Sequence, residues 1–302
     1  MIELKKYGAI DIGSNAIRLL VSNVIIQEGK EPQFKKSALI RLPVRLGADA
    51  FVSGIISEEN ISRMIDAMEA FKLLMKVHKV ERFKACATSA MREAFNGEEV
   101  VKKVFEKTGI KISIIGGKEE AVIISSNNLK ELIKGTDSYL YVDVGGGSTE
   151  FTIFSEEKII ISKSFNMGTV RLLNNTKSEN KEIFENVERW IRKNTQDLKR
   201  ISLIGSGGNI NKIFKMSGLM EGKPISFVYL HAQYQFLKQM SYEDRISELS
   251  LNPDRADVII PATKIYLSAM KWSGAKKIFV PKIGLSDGII KSLYVNPSGL
   301  IK

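Results

Sequence analysis

Two short stretches of the chain carry the same order of residue types, and that order suits phosphate chemistry. In "AIDIGSNAIRLLV", Asp11 precedes Gly13, Ser14 and Asn15; in "YVDVGGGSTEFTIF", Asp143 precedes Gly145, Gly146, Gly147 and Ser148, with Thr149 and Glu150 following. Both read as strand, aspartate, apolar residue, glycine turn, strand. Glycine weakens strands, so three in succession inside an apolar run ask for a reason. A glycine turn lets a ligand approach the backbone and aims several N–H groups one way, which makes a concavity for an anion. A carboxylate at the end of the preceding strand suits a divalent cation, because Mg²⁺ takes a few carboxylates together with substrate phosphate oxygens. Tight turns also use glycine for conformational reasons alone. Two copies with aspartate at the same offset favour the phosphate reading, with Asp11 and Asp143 on the cation.

The elements around these turns alternate between strand and helix. Ser57 is a candidate N-cap followed by Glu58 and Glu59, and Ile61, Met64, Ile65, Met68, Phe71 and Met75 then recur at helical spacing. The strand "FKACAT" leads into "SAMREAFNGEEVVKKVFEKTG", read as loop and helix. "IKISIIGG" is a further strand, and "KEEAVIISSNNLKELIK" resumes the helical pattern. In the second half, Ile183, Phe184, Val187, Trp190 and Ile191 line one face of a long helix, "ISLIGSGGNI" runs a strand into another glycine turn, and helical runs fill much of residues 231–271. The strand "KKIFVPKIG" and a last helix beginning near Ser286 close the chain. This alternation predicts α/β layers with helix-covered sheets. The repeated turn predicts two similarly built domains, 1–124 and 125–302.

Composition narrows the functional classes. The 302 residues and 44% hydrophobic content suffice for two buried cores. Neither a signal-peptide pattern at the N-terminus nor an apolar run of about 20 residues is present, so the expectation is a cytoplasmic protein away from the membrane. The single cysteine, Cys86, cannot form an internal disulfide and reads as a buried thiol in an apolar run. His78 and His231 lack metal-ligand spacing. A formal net charge of +11 attracts polyanions, although the lysines are scattered in pairs. No aromatic-basic module points to specific nucleic-acid binding.

The stretches "AIDIGSNAIRLLV", "ATSAMREA", "IIGGKEEAVI", "YVDVGGGSTEF", "GSGGNI", "NPDRADVIIPA" and "GLSDGII" follow one another in the order seen in the exopolyphosphatase and guanosine pentaphosphate phosphatase family, which the chain resembles from Ala9 to about Tyr294. The resemblance implies the two-domain actin-like ATPase (ribonuclease H-like) fold with an interdomain active-site cleft. It implies Glu120 as the carboxylate that positions and deprotonates the attacking water, with Asp143 and Glu150 as acidic residues around the metal and the nucleophile. Ser14, Asn15, Gly145, Gly146, Gly147 and Ser148 match the phosphate loops, Arg92 and Arg255 match phosphate-binding arginines, and Gly207 lies in the glycine loop that approaches a nucleotide in the wider superfamily. Mg²⁺ or Mn²⁺ is the implied cofactor, held by Asp11, Asp143 and Glu150, and a homodimer is a further expectation. Longer members append a helical region associated with gripping long polyphosphate. The chain stops before it, so both polyphosphate and guanosine pentaphosphate (pppGpp) stand as substrates.

The residues make chemical sense in these roles. Hydrolysis of a terminal phosphoryl group needs an in-line water and neutralised equatorial oxygens. The leaving group is itself a phosphate anion, so no strong general acid is required, in keeping with only two histidines. On the residues alone, Glu119 and Glu120 also suit a helix N-terminus, and Arg92 a surface position near the start of a helix. Two other classes remain in view: an alarmone- or nucleotide-binding regulator with little catalysis, and an ATP-dependent small-molecule kinase.

Overall fold

Each aspartate–glycine stretch forms a hairpin at the middle of a sheet. The computed structural model describes residues 1–125 and 137–295. The chain divides into two units, Met1–Asn127 with Gly284–Lys302, and Asn128–Ile283.

In the first unit β1 (Ile2–Ile12), β2 (Ile17–Gln27) and β3 (Gln33–Leu42) form an antiparallel meander. The chain then runs through α1 (Leu46–Ala50) and α2 (Glu58–Val77), and β4 (Arg82–Ala87) joins the free side of β1 in parallel. After α3 (Ser89–Glu93) and α4 (Gly97–Thr108), β5 (Ile112–Ile114) extends the sheet before α5 (Gly117–Ser125). The strand order is β3-β2-β1-β4-β5. Helical crossovers separate the parallel strands because such a connection must span the sheet's length.

The second unit repeats the plan. A meander of β6 (Ser138–Val144), β7 (Thr149–Ser155) and β8 (Lys158–Phe165) is followed by α6 (Thr169–Asn174) and α7 (Lys177–Thr195). β9 (Ile201–Ser206) then pairs in parallel with β6. Beyond α8 (Gly208–Met216) come β10 (Ile225–Ser226), α9 (Phe227–Gln239), α10 (Tyr242–Ser247), α11 (Pro253–Ala256), α12 (Ile259–Ser273) and β11 (Lys277–Phe279). The order β8-β7-β6-β9-β11, with β10 added at the edge, matches the first sheet position for position. This duplicated arrangement is the mixed α/β fold that the actin-like resemblance implies.

The last helix, α13 (Leu285–Val295), belongs with the first unit, so the division differs from one placing 125–302 in a single domain. Its buried Ile289, Ile290 and Leu293 pack on β1, β2 and β4, and Lys36 of β3 makes a 2.8 Å ion pair with Asp287. Residues 126–134, where the sequence pattern continues the helix, lie outside the described residues.

Ser57 caps α2 as expected by accepting from Asn60 N–H, and Met64, Met68, Phe71 and Met75 lie buried in the first core. The second core joins Leu140, Val142, Phe151 and Ile153 of the sheet to Val187, Ile191, Ile265 and Tyr266 of its helices. Among the described residues no helix is long and apolar enough to cross a membrane.

Candidate active site

The two hairpin turns are built alike. Gly13 N–H donates to Ala16 O at 3.1 Å, and Gly145 N–H donates to Ser148 O at 2.9 Å, so each aspartate sits two residues before a four-residue turn closed by the same bond. The register that follows places Asp11 opposite Arg18 and Asp143 opposite Glu150. In both units a short helix then grips the carbonyls of the turn. Ser14 O accepts from Gly47 N–H (2.7 Å) and Asn15 O from Arg45 N–H (3.2 Å), at the start of α1. Gly145 O accepts from Thr169 N–H (3.0 Å), and Gly146 O from Val170 and Arg171 N–H (2.8 and 3.2 Å), at the start of α6. Gly147 O accepts from Arg171 Nε at 3.0 Å.

The glycine triplet thereby acquires a direction. A planar trans peptide points its N–H opposite its C=O. With the carbonyls of Gly145, Gly146 and Gly147 all turned toward α6, the N–H groups of Gly146, Gly147 and Ser148 point away from it. Among the described residues none of these three has an acceptor. Close approach explains the next glycine too: a Cβ at Gly168 would stand 2.2 Å from Gly146 O and 2.3 Å from Gly147 C.

In the second unit Glu150, only 2% exposed, accepts from Ser148 Oγ (2.7 Å) and Ser164 Oγ (2.8 Å) on one carboxylate oxygen. Asp143 faces it across the hairpin and also reaches the glycine loop after β9, where a Cβ on Gly207 would lie 3.7 Å from Asp143 Oδ1. Gly207 holds φ at 123°, a left-handed value that favours glycine. A Cβ on Gly208 would lie 3.0 Å from Arg255 Nη2, so Arg255 lies over the start of α8. Lys212 is held below its ordinary pKa by burial, and by Lys215 and Arg255 nearby. Asp143, Glu150, the glycine triplet, Gly207 and Arg255 are thus brought to one end of the central strands of the second sheet.

In the first unit Asp11 is 4% exposed and bonded to Arg18 Nη1 at 3.1 Å. Burial raises its carboxyl above the usual range, opposed by the charge and hydrogen bond of Arg18. Ser14 Oγ and Ser89 Oγ are 2.9 Å apart, tying the turn to α3. Arg92 is the fourth residue of that five-residue helix, and its Nη1 donates to Ile115 O at 2.8 Å. That carbonyl immediately precedes the glycines that open α5. Of the two glutamates there, Glu119 is exposed and Glu120 is 8% exposed. Both lie within electrostatic reach of buried Cys86, as does Asp11, which stands opposite Cys86 in the β1–β4 register. The backbone of α13 rests on α5 close by: a Cβ at Gly288 would meet Ile123 O at 2.1 Å.

Three contributors escaped the sequence reading. Arg18 and its partnership were implicit in the turn length, since a four-residue turn fixes which residues stand opposite. Gly168 and Arg171 lie in "NMGTVRLL", and only the tertiary fold brings that segment to the glycines. His231 stacks on Phe227, and His78 caps the end of α2.

Oxygen donors dominate this end of the second sheet: two facing carboxylates, with serine hydroxyls beside Glu150. A hard divalent cation that keeps several waters fits such a set.

Comparison with known proteins identifies the family. Residues 25–296 match the model of the Ppx/GppA phosphatase family. The chain is 31% identical over 304 residues to a bifunctional 3-dehydroquinate synthase/phosphatase of Fusobacterium nucleatum, an alignment covering 90% of this chain but 44% of that protein. It is 26% identical over 320 residues to exopolyphosphatase 2 of Mycobacterium tuberculosis, covering 96% of this chain and 99% of that one. A solved structure of the Aquifex aeolicus Ppx/GppA family member superposes with a TM-score of 0.77 at 25% identity, covering 97% and 99% of the two chains.

Proposed function

Since the chain belongs to the Ppx/GppA phosphatase family, we propose that it hydrolyses the terminal phosphoanhydride bond of inorganic polyphosphate, of pppGpp (giving ppGpp), or of both. Family membership and the relatives named exopolyphosphatase support a phosphohydrolase. The observation that carries the finer reading is the glycine triplet, whose carbonyls are all bonded on one side so that three N–H groups face the other.

Those N–H groups receive oxygens of the terminal phosphate, and the guanidinium groups of Arg92 and Arg255 offset further negative charge. Glu120 orients a water and takes its proton as the water oxygen bonds to phosphorus. The bridging P–O bond breaks, and the shortened phosphate chain departs as an anion without need of a strong acid. Asp11, Asp143 and Glu150 are the residues that would hold Mg²⁺ or Mn²⁺. The bound ion would offset charge on the phosphate oxygens. A net charge of +11 suits a polyanionic substrate.

The test is orthophosphate release with Mg²⁺ from polyphosphates of several lengths, pppGpp and ATP, beside Glu120→Gln. Release from polyphosphate or pppGpp that falls by about 100-fold or more in the variant, with phosphate binding kept, is the expected result. Release unchanged in Glu120→Gln overturns the base assignment. Silence of the wild type on every substrate overturns the hydrolase in favour of a binding protein.

A further inference from the structure

The glycines that admit a ligand also make the turn easy to rearrange. Glycine adopts either sign of φ at little cost, so a peptide unit between two glycines can rotate and present its C=O where its N–H had been. Against an anion that exchange replaces a donor by a repelling oxygen. A phosphate loop made of three glycines therefore needs an external clamp on its carbonyl side.

The two units clamp their turns differently. In the first, both gripped carbonyls accept from main-chain N–H groups, of Gly47 and Arg45. In the second, main-chain N–H groups of α6 reach Gly145 O and Gly146 O but not Gly147 O, which accepts from the Arg171 side chain through Nε at 3.0 Å. Arg171 N–H is itself one of the donors to Gly146 O, so one residue holds two successive peptides. Gly168 seats the helix directly against these peptides, leaving no room for a Cβ. A charged donor makes a stronger bond than a neutral one, which suits it to the one peptide of the turn that the helix backbone does not reach.

We propose that Arg171 is a positioning residue of the phosphate site: it fixes the Gly147–Ser148 peptide so that Ser148 N–H stands beside those of Gly146 and Gly147. This rests on the phosphate-binding reading of the turn.

The experiment follows the backbone amide resonances of Gly146, Gly147 and Ser148 during titration of the full chain with inorganic phosphate, together with steady-state kinetics on polyphosphate, for wild type, Arg171→Gln and Arg171→Lys. In the wild type all three amides should shift. Arg171→Gln should weaken phosphate binding and raise KM by about tenfold or more, the scale of a lost hydrogen bond to a charged group, with the Ser148 shift most reduced. Arg171→Lys, which restores a charged donor, should recover part of both. Variants that lose only thermal stability, with Kd, KM and amide shifts unchanged, would overturn the positioning role while leaving the phosphatase reading intact. Wild-type amides that ignore phosphate would overturn the phosphate reading of the turn and this inference with it. If the glutamine variant fails to fold, the lysine variant decides: unchanged Kd and shifts support the requirement for a charged donor only if Arg171→Met, of similar length and no charge, loses them.

Discussion

Glu150 stands opposite Asp143 across β6 and β7, at the register position where Arg18 stands opposite Asp11 across β1 and β2. One repeat therefore closes on an ion pair and the other on two carboxylates. Like charges directly opposite on a sheet are destabilising, and on the metal reading proposed above a divalent cation would convert that liability into a binding site.

Mg²⁺ should accordingly stabilise the protein. A ligand at 100 times its Kd adds about 2.7 kcal/mol, and each kcal/mol moves Tm by about 2–4 °C in a domain of 150–250 residues. Wild type should gain several degrees with saturating Mg²⁺ and lose them with EDTA. Glu150→Gln should melt higher than wild type without metal and gain less from it. An equal Mg²⁺ gain in both proteins would remove Glu150 from the metal set.

Asp11 exchanges stability for charge. Its folded pKa is raised, chiefly by burial, so the protonated form fits the fold better. The contribution is favourable below the unfolded value of about 4 and is lost as pH rises through the folded value. Asp11→Asn keeps the shape without the buried charge, and Arg18, with 37% of its side chain exposed, can turn to water. The variant should match or exceed the wild-type Tm at pH 7, converge with it near pH 3, and release phosphate more slowly. A Tm deficit that widens from pH 4 to pH 8 would show that the Arg18 pair outweighs desolvation.

Gly168 admits no side chain. Gly168→Ala drives a Cβ into Gly146 and Gly147 backbone atoms, and overpacking of this kind costs about 1–3 kcal/mol. Urea unfolding should show that loss together with weakened phosphate binding, whereas Gly284→Ala, whose Cβ meets nothing within 4 Å, should keep the phosphate affinity of wild type. Unimpaired binding in Gly168→Ala would mean the turn tolerates displacement of α6.

Cys86 is fully buried, and burial pushes its thiol up to about 12. At pH 8 almost none is thiolate, so iodoacetamide should leave activity untouched and label the residue only as the protein unfolds in urea. Rapid modification of the native protein would contradict the packing around β4.

The sequence by itself determined what is local. An aspartate two residues before a glycine turn, flanked by strand formers, produced a hairpin in both halves. Turn length then set the facing residues, because neighbouring antiparallel strands pair through a few intervening residues. Ser57 and the apolar spacing after it likewise marked α2. Only the tertiary structure decided what joins residues far apart in the chain. Which of Glu119 and Glu120 is buried depends on the packing around α5, where α13 arrives more than 160 residues later. That helix returns to the first unit because its apolar face is buried on β1, β2 and β4, and no periodicity states which sheet a helix will cover. The direction of the glycine peptides was equally hidden: glycine has no side chain to bias them, so their orientation comes from α6 and Arg171, 24 residues beyond Gly147.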